Sequence, residues 1–122
     1  MKMREIKFRG WIGEDFIFSE CVFQDNDVWR ILSPNDDNWW ACLEPQQFTG
    51  LKDKNGKKIY EGDIVRFSGY VNSIGVIRYN ERLGVYQAAY NNSSWLICKE
   101  SGIEQQVIGN IYQNPELLEE SK

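Results

Sequence analysis

The run Gln46-Gln47-Phe48-Thr49-Gly50-Leu51-Lys52-Asp53-Lys54-Asn55-Gly56-Lys57-Lys58-Ile59-Tyr60-Glu61-Gly62-Asp63-Ile64-Val65-Arg66-Phe67 carries the plainest folding instructions in the chain. Two extended segments, 47–51 and 59–60, flank a polar Lys-rich connection. Asn55-Gly56 favours positive φ, which a tight hairpin tip requires, so residues 46–60 are predicted to form a β-hairpin. Glu61-Gly62-Asp63 is a second turn. Gly62 supplies unusual φ, and Asp63 is suited to bonding nearby backbone amides. Residues 64–67 then enter a strand with Ile64 and Arg66 on one face and Val65 and Phe67 on the other. Asn55, Gly56, Gly62 and Asp63 are therefore read as structural turn residues.

The same pattern continues outward. Residues 6–11 alternate apolar and basic side chains up to Gly10, a half-buried strand with Ile6 and Phe8 inward. Segments 16–18, 21–23, 28–32 and 39–43 are β-prone. They are separated by Gly13-Glu14-Asp15, by Asp25-Asn26-Asp27 and by the loop 33–38 with its Pro34. Pro45 breaks the pattern. Beyond the hairpin, Ser68-Gly69-Tyr70 interrupts the chain, and 75–79, 85–90, 95–99 and 106–112 read as strands. Asn91-Asn92-Ser93-Ser94 reads as a turn, and a Gly bend falls inside the last strand. Asn114-Pro115-Glu116 opens a short helical turn anchored by Leu117 and Leu118, with a frayed tail over 119–122. Eight to ten short strands at intervals of about 8–12 residues predict a mainly β sandwich or small barrel, not a βαβ protein.

At 122 residues the chain can bury a core without disulfides or metals. Eighteen acidic residues against fourteen basic ones argue against a general nucleic-acid binder, because phosphate contacts need a basic excess. Cys21, Cys42 and Cys98 are odd in number and far apart, with no C-x-x-C, and are read as reduced core residues. No apolar run resembles a leader or a membrane span, so a cytoplasmic location with no membrane partner is expected.

The run 46–67 closely resembles the central signature of the YopX family of phage and prophage proteins. Lys7-Phe8-Arg9-Gly10-Trp11 resembles that family's opening strand, and residues 107–118, Val-Ile-Gly-Asn-Ile-Tyr-Gln-Asn-Pro-Glu-Leu-Leu, resemble its closing motif. The resemblance implies an origin in a bacterial host cell or its phage and an SH3-like barrel in the C-terminal part. It implies no known enzymatic activity, and so no catalytic residues to carry over. The resulting division is an N-terminal β lobe at 1–45, an SH3-like barrel at 46–113 and a short helical turn at 114–122.

No constellation for catalysis emerges. The chain has no histidine, which excludes Ser-His-Asp and Cys-His nucleophile systems and the commonest metal ligand. A calcium-loop reading with Gly56 at the sixth position places Leu51 first and Gly62 twelfth, and neither supplies a carboxylate. Asp25/Asp27 and Asp36/Asp37 read as solvated turn acids. No catalytic residue, metal or cofactor is expected. Lys52, Lys54, Lys57, Lys58 and Arg66, with Phe48 and Tyr60 as stacking rings, form a candidate nucleic-acid surface. Trp39 and Trp40 are adjacent and point to opposite faces of a strand. One is expected to pack inward and the other to meet a partner or a second subunit. The leading expectation is a non-enzymatic phage accessory protein, a homo-oligomer or a binder of a host or phage protein. Nucleic-acid binding through the hairpin 52–58 is the alternative, and a carboxylate- or metal-dependent enzyme is the second alternative.

Overall fold

The structure, a computed structural model, describes residues 5–67, 74–90, 93–97 and 105–120. The expected break at Ser68-Gly69-Tyr70, the turn residues Asn91 and Asn92, and Cys98 and Lys99 lie outside them. The described residues form twelve strands and one short helix, all strand pairs being antiparallel. The protein is mainly β. It divides into two compact units, Met1–Phe48 and Thr49–Lys122, with the division inside strand β6.

The first unit holds β1 (Phe8–Trp11), β2 (Phe16–Ser19), β3 (Val22–Asp25), β4 (Val28–Leu32), β5 (Trp39–Cys42) and the first residues of β6 (Gln46–Lys52). One sheet runs β2-β1-β6, the other β3-β4-β5. Gly10 of β1 sits where the second sheet comes closest. A Cβ there would meet Cys42 Sγ at 2.8 Å, Cys42 Cβ at 3.0 Å and Ile31 Cγ2 at 3.1 Å. Glycine is needed here for close approach, and Ile31 is fully buried. The expected inward phase of the first strand is only half right. Phe8 is half-buried, but Ile6 precedes β1 and is 54% exposed, whereas Arg9 is buried. Arg9 can be buried because its charge is accommodated. Its Nε donates to Gln46 Oε1 at 2.8 Å, and its guanidinium lies 4.4 Å from the centroid of the Phe16 ring.

The second unit contains the rest of β6, then β7 (Lys58–Tyr60), β8 (Asp63–Phe67), β9 (Ile74–Asn80), β10 (Val85–Tyr90), β11 (Ser93–Leu96), β12 (Gln105–Asn110) and α1 (Glu116–Glu120). Five strands form a sheet in the order β11-β10-β9-β8-β12, with β11 and β12 at its edges. The central strands are apolar on both faces, and each face carries its own core. Val65 and Ile77 join Ile59, Ala88, Ile97 and Val107 on one side. Ile64, Ile74 and Val76 occupy the other, covered by Ile108, Ile111, Leu117 and Leu118. The C-terminal leucines thus anchor α1 as expected. The helix also runs through Glu119 and Glu120, where fraying was expected, and Ser93-Ser94 pair with β10 instead of turning.

The Gly bend in β12 is a bulge between Val107 and Gly109. A Cβ at Gly109 would meet Asn114 Oδ1 at 2.6 Å. Asn110 Oδ1 accepts from the amides of Tyr112 and Gln113, which turns the chain toward the helix. Asn114 Oδ1 accepts from Asn110 N at 3.3 Å, so this side chain ties the turn back to β12.

Two substitutions test this packing. Gly10→Val drives methyl groups into Ile31 and Cys42 and should lower unfolding free energy by about 1–3 kcal/mol in denaturant titration. Gln105 is fully buried, yet among the described residues neither Nε2 nor Oε1 has a hydrogen-bond partner. Gln105→Met should therefore raise stability by about 1–2 kcal/mol, read as an upward shift in Tm.

Candidate protein-interaction surface

The Lys-rich hairpin is organised by one carboxylate. Asp53 is 6% exposed. Its Oδ1 accepts from Asn55 N and Lys57 N, both at 2.9 Å, and its Oδ2 accepts from Val107 N on β12 at 2.9 Å. Lys54 N donates to Gln105 O at 3.0 Å alongside. Burial pushes the Asp53 carboxyl up, but the three amides and the nearby Lys57 charge outweigh it and hold it below its ordinary value. The tip differs from the simplest Asn-Gly turn. Gly56 N bonds Asp53 O at 3.0 Å and only Gly56 of the pair has positive φ, 83°. This is the three-residue loop that ends in a left-handed glycine.

Lys52, Lys54, Lys57 and Arg66 are exposed, and Lys58 is half-buried. The rings expected to stack beside them are not available. Phe48 is 4% exposed and Tyr60 is 5% exposed, both committed to the interior. The second turn serves the backbone. Gly62 has φ 82°, its N–H donates to Ile77 O at 2.8 Å and its carbonyl accepts from Ile111 N at 3.0 Å. Asp63 Oδ2 accepts from Tyr60 N at 2.8 Å.

Sheet β3-β4-β5 presents a different surface. Register pairs Phe23 with Arg30 and Arg30 with Ala41, Asp25 with Val28, and Leu32 with Trp39. These seven side chains share the face opposite the one that holds Ile31 and Cys42 against Gly10. Phe23, Val28 and Trp39 are 41–43% exposed there. The Phe23 and Trp39 rings meet edge to face with centroids 4.8 Å apart, which fixes both. Trp40 lies on the Ile31 side, at the sheet margin, and is 42% exposed. The expectation that one tryptophan turns inward is thus replaced by two equally exposed rings. The Asp36 carboxyl is kept below its usual value chiefly by the Asn38 amide, against burial, which pushes it up, with lesser lowering by the side chains of Ser33, Asn38 and Trp40.

Phe23 and Val28 were not legible as surface residues. Alternation shows which residues share a face but not which face another sheet covers. The cysteines also depart from expectation. Cys21 is exposed, while Cys42 is half-buried and its thiol is pushed up by burial. Charge is unevenly distributed. Residues 20–44 carry Glu20, Asp25, Asp27, Asp36, Asp37 and Glu44 against Arg30 alone, a net of −5, and Arg30 lies 3.8 Å from Asp25. The segment 52–58 carries four lysines against Asp53, a net of +3. Among the described residues no group of three or more carboxylates or thiols is placed to hold a metal ion. Nor is any helix among them long and apolar enough to cross a membrane.

These features define a two-unit antiparallel β protein with an exposed aromatic sheet face and a clasped basic hairpin. The YopX protein family model matches residues 7–119, and the chain belongs to that family. The crystal structure of protein EF1440 from Enterococcus faecalis is similar, with 26% sequence identity and a TM-score of 0.62 over 95% of this chain and 99% of that one. No functionally curated protein is a significant match.

Removing the Asp53 carboxylate leaves three amides without their acceptor. Asp53→Ala should cost about 2–4 kcal/mol in chemical denaturation. Because the folded carboxyl lies below its ordinary value of 3.8, its contribution is complete above the unfolded-state value, about 3.9, and fades as the pH falls below it. The gap between wild type and variant should shrink on acidification from pH 6 toward pH 2.

Proposed function

We propose that this protein is a non-enzymatic accessory module of phage or prophage origin that works in the bacterial cytoplasm by binding protein through the outer face of β3-β4-β5. The observation that carries the reading is the cluster of Phe23, Val28 and Trp39 on one sheet face, each more than two-fifths exposed. Large rings already locked in place bind at low entropic cost and are the residue types that dominate protein interfaces. The second unit acts as the scaffold, and we read it as an SH3-like barrel. Support comes from its last strand, β12, returning to pair with its first long strand, β8. The absence of histidine from the sequence supports a binding role over a catalytic one.

Nucleic-acid binding through Lys52, Lys54, Lys57, Lys58 and Arg66 is less well supported. With Phe48 and Tyr60 buried, the hairpin offers charge without a stacking platform.

Site-specific photocrosslinking in bacterial cells tests the proposal. A benzoylphenylalanine at Val28 should give discrete protein adducts, whereas the same group at the exposed Arg78 of β9 should not. Adducts from Arg78 as strong as those from Val28, or none from Val28, would contradict it.

A further inference from the structure

We propose that Asn55 is a latent modification site, half of a self-deamidating Asn-Gly pair that the Asp53 clasp holds inactive. Asn55-Gly56 is the one Asn-Gly step in the sequence. The reaction needs no enzyme. The Gly56 nitrogen attacks Asn55 Cγ and forms a new C–N bond. The bond from Cγ to Nδ2 breaks, and Nδ2 leaves as ammonia with the proton that Gly56 N gives up. The product is a cyclic imide, which solvent water opens at either carbonyl. Opening at Cγ leaves aspartate at position 55, and opening at the main-chain carbon leaves isoaspartate. Nothing is oxidised or reduced. Glycine favours ring closure because it has no Cβ to obstruct it. The surroundings do not obstruct it either. Asn55 and Gly56 are exposed, and among the described residues no atom beyond the chain neighbours lies within 4 Å of where a Gly56 Cβ would stand.

Hydrogen bonds supply the restraint. To attack, Gly56 N must rotate toward the Asn55 side chain. Its N–H is instead committed to Asp53 O at 3.0 Å. The amides on either side are fixed to the same residue, Asn55 N and Lys57 N each donating to Asp53 Oδ1 at 2.9 Å. Asp53 is tied in turn to β12 through Val107 N at 2.9 Å, and Lys54 N donates to Gln105 O at 3.0 Å beside it. The nucleophile reaches Asn55 Cγ when the hairpin lets go of these partners, so the rate of modification follows the population of the opened clasp.

The consequence is one-way. Aspartate at position 55 lowers the net charge of 52–58 from +3, four lysines against Asp53, to +2, four lysines against two carboxylates. Isoaspartate also adds one carbon to the main chain between positions 55 and 56. That shifts the Gly56 and Lys57 amides out of register with Asp53. A hairpin that has opened long enough to react is permanently altered, and position 55 becomes a chemical record of clasp opening on the exposed tip that carries Lys52, Lys54 and Lys57.

Purified full-length protein, incubated in mildly alkaline buffer and followed by peptide mapping with mass spectrometry, tests the proposal. The readout is the rate at which aspartate and isoaspartate appear at position 55. A synthetic peptide covering residues 50–60 gives the unrestrained rate. Wild type should react at least about tenfold more slowly than the peptide, equivalent to a clasp open less than about one-tenth of the time. Asp53→Ala, shown by circular dichroism to be folded, should react at a rate approaching that of the peptide. Asp53→Asn keeps one acceptor oxygen and should fall between the two. It carries the comparison if the alanine variant does not fold. A wild type that reacts as fast as the peptide overturns the protection, whether or not either variant folds. A folded Asp53 variant no faster than wild type overturns its assignment to the clasp. A peptide that does not react overturns the site itself.

Discussion

One buried carboxylate joins two parts of the C-terminal unit that lie far apart in sequence. Asp53 accepts hydrogen bonds from Asn55 and Lys57 in its own hairpin and from Val107, 54 residues away in sequence. Charged hydrogen bonds of this kind are stronger than neutral ones, and they hold the carboxylate ionised at the cost of its burial. The hairpin is thereby clasped to β12. In turn β12 pairs with β8 and adds Val107 to the core around Ile59, Val65 and Ile77. The signature stretch 46–67 therefore has a structural reason for its composition. Asp53 is the clasp, Gly56 is the residue that lets the loop turn onto it, and Gly62 with Asp63 makes the next corner.

Much of this was legible from residues alone. The strand at 28–32, the strand at 85–90 and the hairpin after Gln46 follow from local alternation and turn residues, and the structure places them there. The leucines after Pro115 are found packing on the second core, where a short apolar anchor was expected. What escaped prediction depends on long-range contacts. The burial of Arg9 needs Gln46 and Phe16, which come from other strands. The requirement for glycine at position 10 needs Ile31 and Cys42 on the opposing sheet. The clasp function of Asp53 needs Val107. Alternation also cannot reveal that the face carrying Phe23, Val28 and Trp39 is left open, which is why Trp39 and Trp40 were paired as one inward and one outward ring when both are exposed.

The surface that results is chemically divided. The acidic segment 20–44 carries exposed aromatic anchors, and the basic hairpin carries exposed lysines with its own nearby rings turned inward. A basic loop with buried rings is poorly equipped to stack bases, whereas the sheet face carrying Phe23, Val28 and Trp39 keeps its rings exposed. Family membership sets the architecture and is silent on activity, so the functional argument rests on this division of charge and apolar area.

The most direct test of the clasp is an NMR pH titration of the backbone amides. If Asp53 holds the hairpin to β12, the amide protons of Asn55, Lys57 and Val107 will shift together on acidification, following one carboxyl that titrates below the ordinary aspartate range. Val107 will also be protected from hydrogen exchange. Three amides that shift independently, or a Val107 amide indifferent to the protonation of Asp53, would contradict the account.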